Sequence, residues 1–205
     1  MNRRNFLQTT VLAVAGTTLI TTLSRAADEK IGKLSAADFK KMNKEGGAKV
    51  SAIKAEAAPL SEADQKLMLE VAAGGMMQLE VSRIAADKAT DADVKAIAKA
   101  EVEEQTVLSA KLKEIAKAKK ITLPDEPDDK TKKMVAMLQG KSGADLDRTY
   151  LENSGVKGHE MLQKTMTKVQ DKAQDPALKS LATAALPLIQ THLEVSRDEI
   201  AAMAA

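Results

Sequence analysis

The sequence predicts an all-α fold, and three observations lead to that prediction. Aromatic residues make up only 1% of the 205 residues and Trp is absent, whereas β-strands favour β-branched and aromatic side chains. Long segments carry a single apolar stripe at helical spacing. Those segments begin at capping residues and end near Gly or Pro. The chain also lacks Cys, which excludes disulfides and thiolate metal sites.

Residues 1–26 are predicted to be an export signal rather than a folded element. Arg3 and Arg4 precede Phe-Leu as in the twin-arginine export pattern, and a weakly apolar stretch follows. Small residues at 24 and 26 place the cleavage after Ala26. The alternative is a general secretory signal with two arginines. The stretch is too short and too polar for a permanent membrane anchor, so we expect a periplasmic or otherwise exported protein.

Removal of this segment changes the charge balance of the chain. Of the 31 Lys and Arg residues, three lie within 1–26, which contains no Asp or Glu. The remaining 28 basic residues face 29 acidic ones, so the strong basic field of a nucleic-acid-binding protein is absent. We expect no nucleic-acid partner, and the composition leaves open whether the chain forms a homo-oligomer.

Residues 27–58 are predicted to be a Lys- and Ala-rich arm or linker, either flexible or with one short helix. Their apolar residues are scattered and Gly46-Gly47 interrupts them. Ser35 can cap a short helix that carries Phe39 and Met42 on one side. We expect this arm to be loosely attached rather than part of the core.

Two long helices and one short helix are predicted next. Ser61, with an acid three residues later, starts a helix that is predicted to reach about residue 88. Thr90 repeats this start signal and opens a helix to about residue 119, before two prolines break the chain. A short helical piece is expected over 130–139.

The third and fourth long helices complete the predicted fold. The third is expected over 144–174, although Gly155 and Gly158 weaken its middle. The fourth begins with Asp175 as the cap and a proline at the first helical position, and Pro187 is expected to bend it. Four long helices with one apolar stripe each can bury those stripes only against each other, which predicts a four-helix bundle over 59–205.

Polar residues interrupt the apolar stripes of this bundle. The seam of a helix is the row of residues that is expected to face the other helices. In the second helix the seam advances by four and three residues in turn, an unbroken heptad pattern, through Val94, Ala98, Glu101, Gln105, Leu108, Leu112 and Ile115. His159 lies in the seam of the third helix, His192 lies on an apolar face of the fourth, and Glu80 has Met and Ile neighbours in the first. A buried charge without a partner costs several kcal/mol, so these groups should meet.

Two interpretations of these polar residues stay open. One is a hydrogen-bond network of His and carboxylate groups that fixes helix register. The other is a metal site formed by Glu80, Glu101, His159 and His192. Di-metal bundles of the ferritin type use a Glu three residues before each His, but Val and Ile stand at those positions here. We therefore expect no cofactor, with iron or another divalent metal as the alternative.

A series of weakly specific positions spans about residues 60–200. They are Ala72–Met76, Glu80, Val94–Ala96, Ile121–Pro124, Asp147, Tyr150, His159, Leu186-Pro187 and His192. In these positions the sequence resembles a ferritin-like bacterial domain of unknown function that occurs in exported proteins. The resemblance implies a ferritin-like four-helix bundle in the periplasm with no established activity.

The sequence departs from that family at three positions. Gln105 stands where the family usually has His, Glu104 where it has Asp, and Leu146 where it has Phe. The missing histidine weakens a metal-binding interpretation for this chain. We therefore expect a non-enzymatic binding or stress-related exported protein without catalytic residues. The alternative is a metal-dependent oxidoreductase or iron-handling protein with a degenerate site.

Overall fold

The structure, a computed structural model, describes residues 29–204. Within them the fold is all-α apart from one short β-hairpin, which confirms the predicted class. The elements are β1 (Lys30–Ile31), β2 (Leu34–Ser35), α1 (Ala36–Ser51), α2 (Glu62–Lys88), α3 (Ala92–Ala118), α4 (Asp129–Gln139), α5 (Gly143–Tyr150), a π-helical segment (Leu151–Gly158), α6 (His159–Lys172) and α7 (Pro176–Met203). The predicted signal, with Arg3, Arg4 and the cleavage after Ala26, lies outside the described residues.

Side-chain caps start the long helices close to where the sequence predicts. The hydroxyl of Ser61 accepts the backbone N–H of Asp64 at 3.1 Å and starts α2. Asp91, rather than the predicted Thr90, caps α3 by accepting from two backbone N–H groups. Asp175 caps α7 in the same way and is followed by a proline at the first helical position, which has no N–H to leave unpaired.

The long helices pack side by side and bury two apolar clusters. Helix α2 packs against α3 and α6, and α7 packs against α3 and α6. One cluster gathers residues near the start of α2, the end of α3, α6 and the start of α7, including Leu67, Ile115 and Leu178. The other lies toward the opposite ends of the same helices and includes Val94 and Tyr150. Between the two clusters each long helix contributes polar side chains, so a polar layer crosses the middle of the core.

Two buried aspartates hold the loops at opposite ends of this core. Asp64 in α2 accepts the backbone N–H groups of Gln174 and Asp175, which lie in the α6–α7 loop. Asp147 in α5 accepts the backbone N–H groups of Thr90 and Asp91 in the α2–α3 loop. Because each loop is bonded to a helix of the other pair, the relative register of the long helices is fixed at both ends.

A π-helical segment interrupts the third long helix where the sequence places two glycines. A Cβ on Gly155 would lie 2.7 Å from Ser196 Oγ, and one on Gly158 would lie 2.5 Å from Gln78 Oε1. A larger residue at either position would therefore force the neighbouring side chain to move, because that side chain occupies the space of a methyl group. Wider π turns are found frequently at functional sites, and this one ends immediately before His159.

The arm is packed onto the long helices, which corrects the expectation of a loose attachment. Ser35 caps α1 as predicted, and Phe39 and Val50 are fully buried while Met42 is exposed. Helix α1 packs on α3 and α7. The ammonium group of Lys111 donates to the backbone carbonyl of Ile53 at 2.8 Å and holds the chain after α1. The scattered apolar residues are thus enough to bury one side of α1.

Candidate metal centre

The centre of the polar layer is the carboxylate of Glu101, which lies between the two histidines. His159 Nε2 and His192 Nδ1 each lie 2.9 Å from the same oxygen, Oε2 of Glu101. The side chains of all three residues are 0–1% exposed. One ring nitrogen of each histidine and one carboxylate oxygen, all within 4.8 Å of one another, form a group that could hold a metal ion.

In each histidine the inner nitrogen is the ring nitrogen that lies beside Glu101. The other ring nitrogen, the outer nitrogen, faces an oxygen acceptor. His159 Nδ1 lies 3.0 Å from the backbone carbonyl of Ser154, in the π-helical segment. His192 Nε2 lies 3.1 Å from Oδ1 of Asn43, whose amide nitrogen donates to the carbonyl of Ala100 at 3.1 Å. These acceptors can each take a hydrogen from the outer nitrogen, so the inner nitrogen could give its lone pair to a cation in place of the hydrogen that it shares with Glu101.

Two glutamine side chains hold the rest of the centre in place. Gln105 donates from Nε2 to Oε1 of Glu101 at 3.0 Å, which fixes the orientation of the carboxylate. Gln78 donates to the carbonyl of Ser154 at 3.2 Å and accepts from the Ser154 hydroxyl at 2.9 Å. Gln78 thereby holds the carbonyl that orients His159.

The ionisation of Glu101 and His159 is coupled by their contact. Burial raises the pKa of Glu101, but the charges and hydrogen bonds of the two histidines lower that pKa by more, to well below its usual range. Burial lowers the pKa of His159, but the charge and the hydrogen bond of Glu101 raise it to a net value above that of free histidine. In the metal-free protein, Glu101 and His159 share a proton, and this proton balances the negative charge of Glu101.

Glu104 is a second buried carboxyl group at the centre. Its side chain is fully buried, and neither of its oxygens has a hydrogen-bond partner among the described residues. Oε2 of Glu104 lies 3.3 Å from Nε2 of His192. Burial, followed by the negative charge of Glu101, raises the pKa of Glu104 well above its ordinary value. An unpartnered buried carboxyl group is costly, so Glu104 requires an explanation beyond packing.

The comparison with family models identifies the domain. The model of a domain of unknown function, DUF4142, matches residues 49–198. The chain belongs to this family. The match begins near the end of α1, so Phe39 and Asn43, which contact His192, lie before the matched part of the DUF4142 domain. Comparisons with curated proteins and with solved structures gave no match.

The structure brings together three of the four residues that the sequence singles out for a metal site. Glu101, His159 and His192 meet, but Glu80 lies apart from them, which corrects its assignment to this group. The side chain of Glu80 is 34% exposed, and its carboxylate pairs with Arg83 at 2.8 Å on the same helix. Gln78, two residues earlier, is fully buried and is the polar residue of α2 that reaches His159. Two residues along a helix correspond to roughly half a turn, so Glu80 points away from the centre.

Three further residues of the centre were missed in the sequence. Glu104 is one helical turn from Glu101, so the i, i+3 spacing on a buried face was a signal for it. Gln78 continues the buried positions Val71, Gly75, Ser82 and Ala85 at steps of three and four, which was a signal as well. Asn43 had no such signal, because its role depends on how α1 packs against α7.

Among the described residues, none of the helices combines the length and apolar character that crossing a membrane requires.

A second acidic group, formed by Asp91, Asp93 and Glu199, lies near the end of α7. Asp91 accepts the backbone N–H groups that cap α3, and Glu199 accepts the N–H of Gly32 at 3.3 Å. These bonds account for Asp91 and Glu199 as structural residues.

Proposed function

We propose that this protein is a non-enzymatic, exported metal-binding protein that holds one divalent transition-metal ion. The ion would bind to Glu101, His159 and His192 inside a ferritin-like four-helix bundle. Nε2 of His159, Nδ1 of His192 and Oε2 of Glu101 are the donor atoms that converge. The set has two nitrogen donors and one negative charge, which suits a divalent cation of borderline softness.

The observation that carries this proposal is the pairing of each histidine with an outer oxygen acceptor. Ligating histidines donate the hydrogen of their other ring nitrogen to a carbonyl or carboxylate, which fixes the tautomer. The Ser154 carbonyl serves His159 in this way and Asn43 serves His192. A hydrogen-bond network alone would need a hydrogen between each inner nitrogen and Glu101. In the part of the chain that the structure describes, Nδ1 of His192 has no aligned hydrogen-bond partner in spite of its 2.9 Å distance from Glu101, and a cation would satisfy it.

The donor set favours one zinc or iron(II) ion over a pair of ions. Two histidines and one carboxylate bind zinc in hydrolases and iron(II) in oxygenases, in both cases with open positions. The Glu-x-x-His pairs of di-iron bundles are missing, since Val156 and Ile189 stand three residues before the histidines. Gln105 replaces the histidine that the resemblance implies, and it donates to Glu101 and so orients the carboxylate.

The architecture and the location in the cell belong to the same proposal. Four long helical segments that bury a polar layer with His and Glu residues support a ferritin-like four-helix bundle. The arginine pair at residues 3 and 4 supports twin-arginine export. That route carries folded chains, so a metal ion could be bound before export.

Metal titration of the chelator-treated protein tests this function. We expect one Zn²⁺ or Co²⁺ ion per chain by calorimetry, and loss of binding in Glu101→Gln, His159→Gln and His192→Gln. Glu80→Gln is the matched control and should bind as the parent does, because Glu80 pairs with Arg83 outside the centre. A parent protein that binds no divalent ion would show that the polar layer serves helix register alone.

A further inference from the structure

The buried carboxyl group of Glu104 points to a second cation position beside the proposed centre. Within residues 29–204, neither oxygen of Glu104 is hydrogen-bonded, and Oε2 lies 3.3 Å from His192 Nε2. Oδ1 of Asn43 lies 3.1 Å from the same nitrogen, and the bond from Asn43 to Ala100 keeps that oxygen turned toward it. A carboxylate oxygen, an amide oxygen and an imidazole nitrogen therefore gather on the outer side of His192.

Asn43 and Glu104, which carry two of these donors, lie at the floor of a surface groove between α1 and α3. The groove has a volume of about 360 Å³, and Asn43 and Glu104 line it together with Gly47, Ala48, Ser51 and Val107. Small residues on α1 leave this space open. On the other side of the centre, next to Gln105, the cavity has a volume of only about 20 Å³, which is room for about one water molecule. The α1–α3 groove is therefore the wider of these two spaces.

We propose that Glu104, Asn43 and Nε2 of His192 form an outer cation position through which a divalent metal ion enters and leaves the inner centre. This inference rests on the proposed metal-binding function. The ion would first meet Glu104 at the floor of the α1–α3 groove. His192 belongs to both positions, because Nε2 faces the outer donors and Nδ1 faces Glu101.

Because both positions use His192, the move of the ion from one position to the other requires a move of the hydrogen on the His192 ring. An ion at the outer position takes the lone pair of Nε2, so the ring hydrogen must be on Nδ1. An ion at the inner position takes the lone pair of Nδ1, so the hydrogen must be on Nε2, where Asn43 accepts it. The move of one ion inward is accompanied by the move of one hydrogen outward, and the net charge of His192 stays the same. Because one neutral imidazole offers one lone pair, the two positions are occupied in turn.

Charged residues at the rim of the groove affect the arrival of the ion. Lys40, Lys44 and Glu103 also line the groove, and all three are exposed. Two positive charges against one negative charge oppose a cation, and salt screens such exposed charges. Replacing both lysines by Gln should therefore speed the association of a divalent cation, and the gain should shrink at high salt.

Stopped-flow kinetics of Zn²⁺ uptake and of Zn²⁺ release to a chelator test the outer position. Glu104→Gln should slow both rates by about tenfold, the factor that a barrier higher by about 1.4 kcal/mol gives. Gly47→Leu should also slow both rates, because it fills the groove. A Cβ at Gly47 meets only Val107, at 3.9 Å, so this variant is expected to fold.

Two control variants show whether a change in the Zn²⁺ rates is specific to the groove or follows from any loss of a surface carboxylate or any added leucine. Glu62→Gln removes one exposed carboxylate away from the groove, and Ser180→Leu adds an exposed leucine on α7. Both controls should keep the parent rates. Parent rates in Glu104→Gln and in Gly47→Leu would overturn the outer position while the metal function stands. A parent protein without metal binding would overturn the proposed function itself. If Glu104→Gln loses its fold by circular dichroism, Gly47→Leu decides the question.

Discussion

The imidazole rings of His159 and His192 stack, with centroids 5.5 Å apart and planes 17° from parallel. The two residues come from different helices and are the only histidines of the chain. The stacked arrangement places one nitrogen of each ring at 2.9 Å from the same carboxylate oxygen of Glu101. A cation that replaced the hydrogen between these rings and Glu101 would receive a lone pair from each ring at one point, which is the geometric basis of the proposed metal centre.

The removal of the Glu101 charge should destabilise the metal-free protein. Glu101 is fully buried and accepts from His159 and Gln105. At pH 6, Glu101→Gln should lower the free energy of unfolding by about 2 kcal/mol or more, since charge-assisted buried hydrogen bonds contribute about 1.5–3 kcal/mol. Urea denaturation measures this change. Glu103→Gln, the exposed neighbour, should shift stability by less than about 0.5 kcal/mol, and an equal shift in both variants would contradict the account.

The π-helical segment should not tolerate a methyl group at its last residue. Gly158→Ala places a Cβ at 2.5 Å from Gln78 Oε1, and Gln78 is held by Ser154 on both sides of its amide. We expect a loss of about 1–3 kcal/mol, as for other overpacked cores. The control is Gly47→Ala in α1, which has room and should gain stability through helix propensity. Thermal denaturation of both variants decides the matter, and a stabilised Gly158→Ala would be inconsistent with this packing.

The acidic group at the end of α7 should give a pH-dependent stability. Burial, and next the charge of Asp93, raise the pKa of Glu199 above its ordinary value. An acid with a raised pKa in the folded state is most favourable to folding below its unfolded pKa, and this contribution is lost as the pH rises through the folded pKa. Glu199→Gln should therefore match the parent near pH 4 and exceed it by up to about 0.5 kcal/mol at pH 7.

Urea denaturation at both pH values checks the prediction for Glu199. Glu194→Gln, on the exposed face of the same helix, is the control and should show no such pH dependence. A Glu199→Gln variant that is less stable than the parent at pH 7 would mean that the hydrogen bond from Gly32 outweighs the repulsion between the acids.

The export signal should depend on its arginine pair. Replacing Arg3 and Arg4 by lysines keeps the charge but removes the motif that the twin-arginine route reads. We expect unprocessed precursor to accumulate inside the cell, which immunoblotting of cell fractions detects. A variant in which only Arg25 becomes Lys is the control and should be exported normally. Normal export of the double variant would favour the general secretory route.

The helical stripes could be predicted from the sequence because burial along a helix has a simple period. All seven seam residues of α3 from Val94 to Ile115 are buried, and His159 and His192 both face the core as their apolar neighbours predict. Glu80 also had apolar neighbours, yet it lies at the surface. On α2 the helical period alone did not decide which face is buried, and the buried face contains Gln78 instead of Glu80.

The position of Asn43 beside His192 could not be predicted, because it depends on how α1 packs against α7 and no local sequence pattern indicates that packing. Helix α1 has few apolar residues, and a Cβ on Gly46 would meet the Leu188 side chain on α7 at 2.3 Å. That close approach brings Asn43 to His192, and neither residue has a pattern that indicates the contact. The π-helical segment was visible only as two glycines in a helix, because the apolar positions on either side of it keep the ordinary helical period.

X-ray absorption at the zinc K-edge of the loaded parent protein tests the metal centre most directly. The account predicts two histidine nitrogens at about 2.0–2.1 Å from the metal together with oxygen ligands. His159→Gln and His192→Gln should each lose one imidazole from that spectrum, whereas Glu80→Gln should leave it as in the parent. A spectrum with oxygen ligands only, or one that both histidine variants leave unchanged, would contradict the proposed centre.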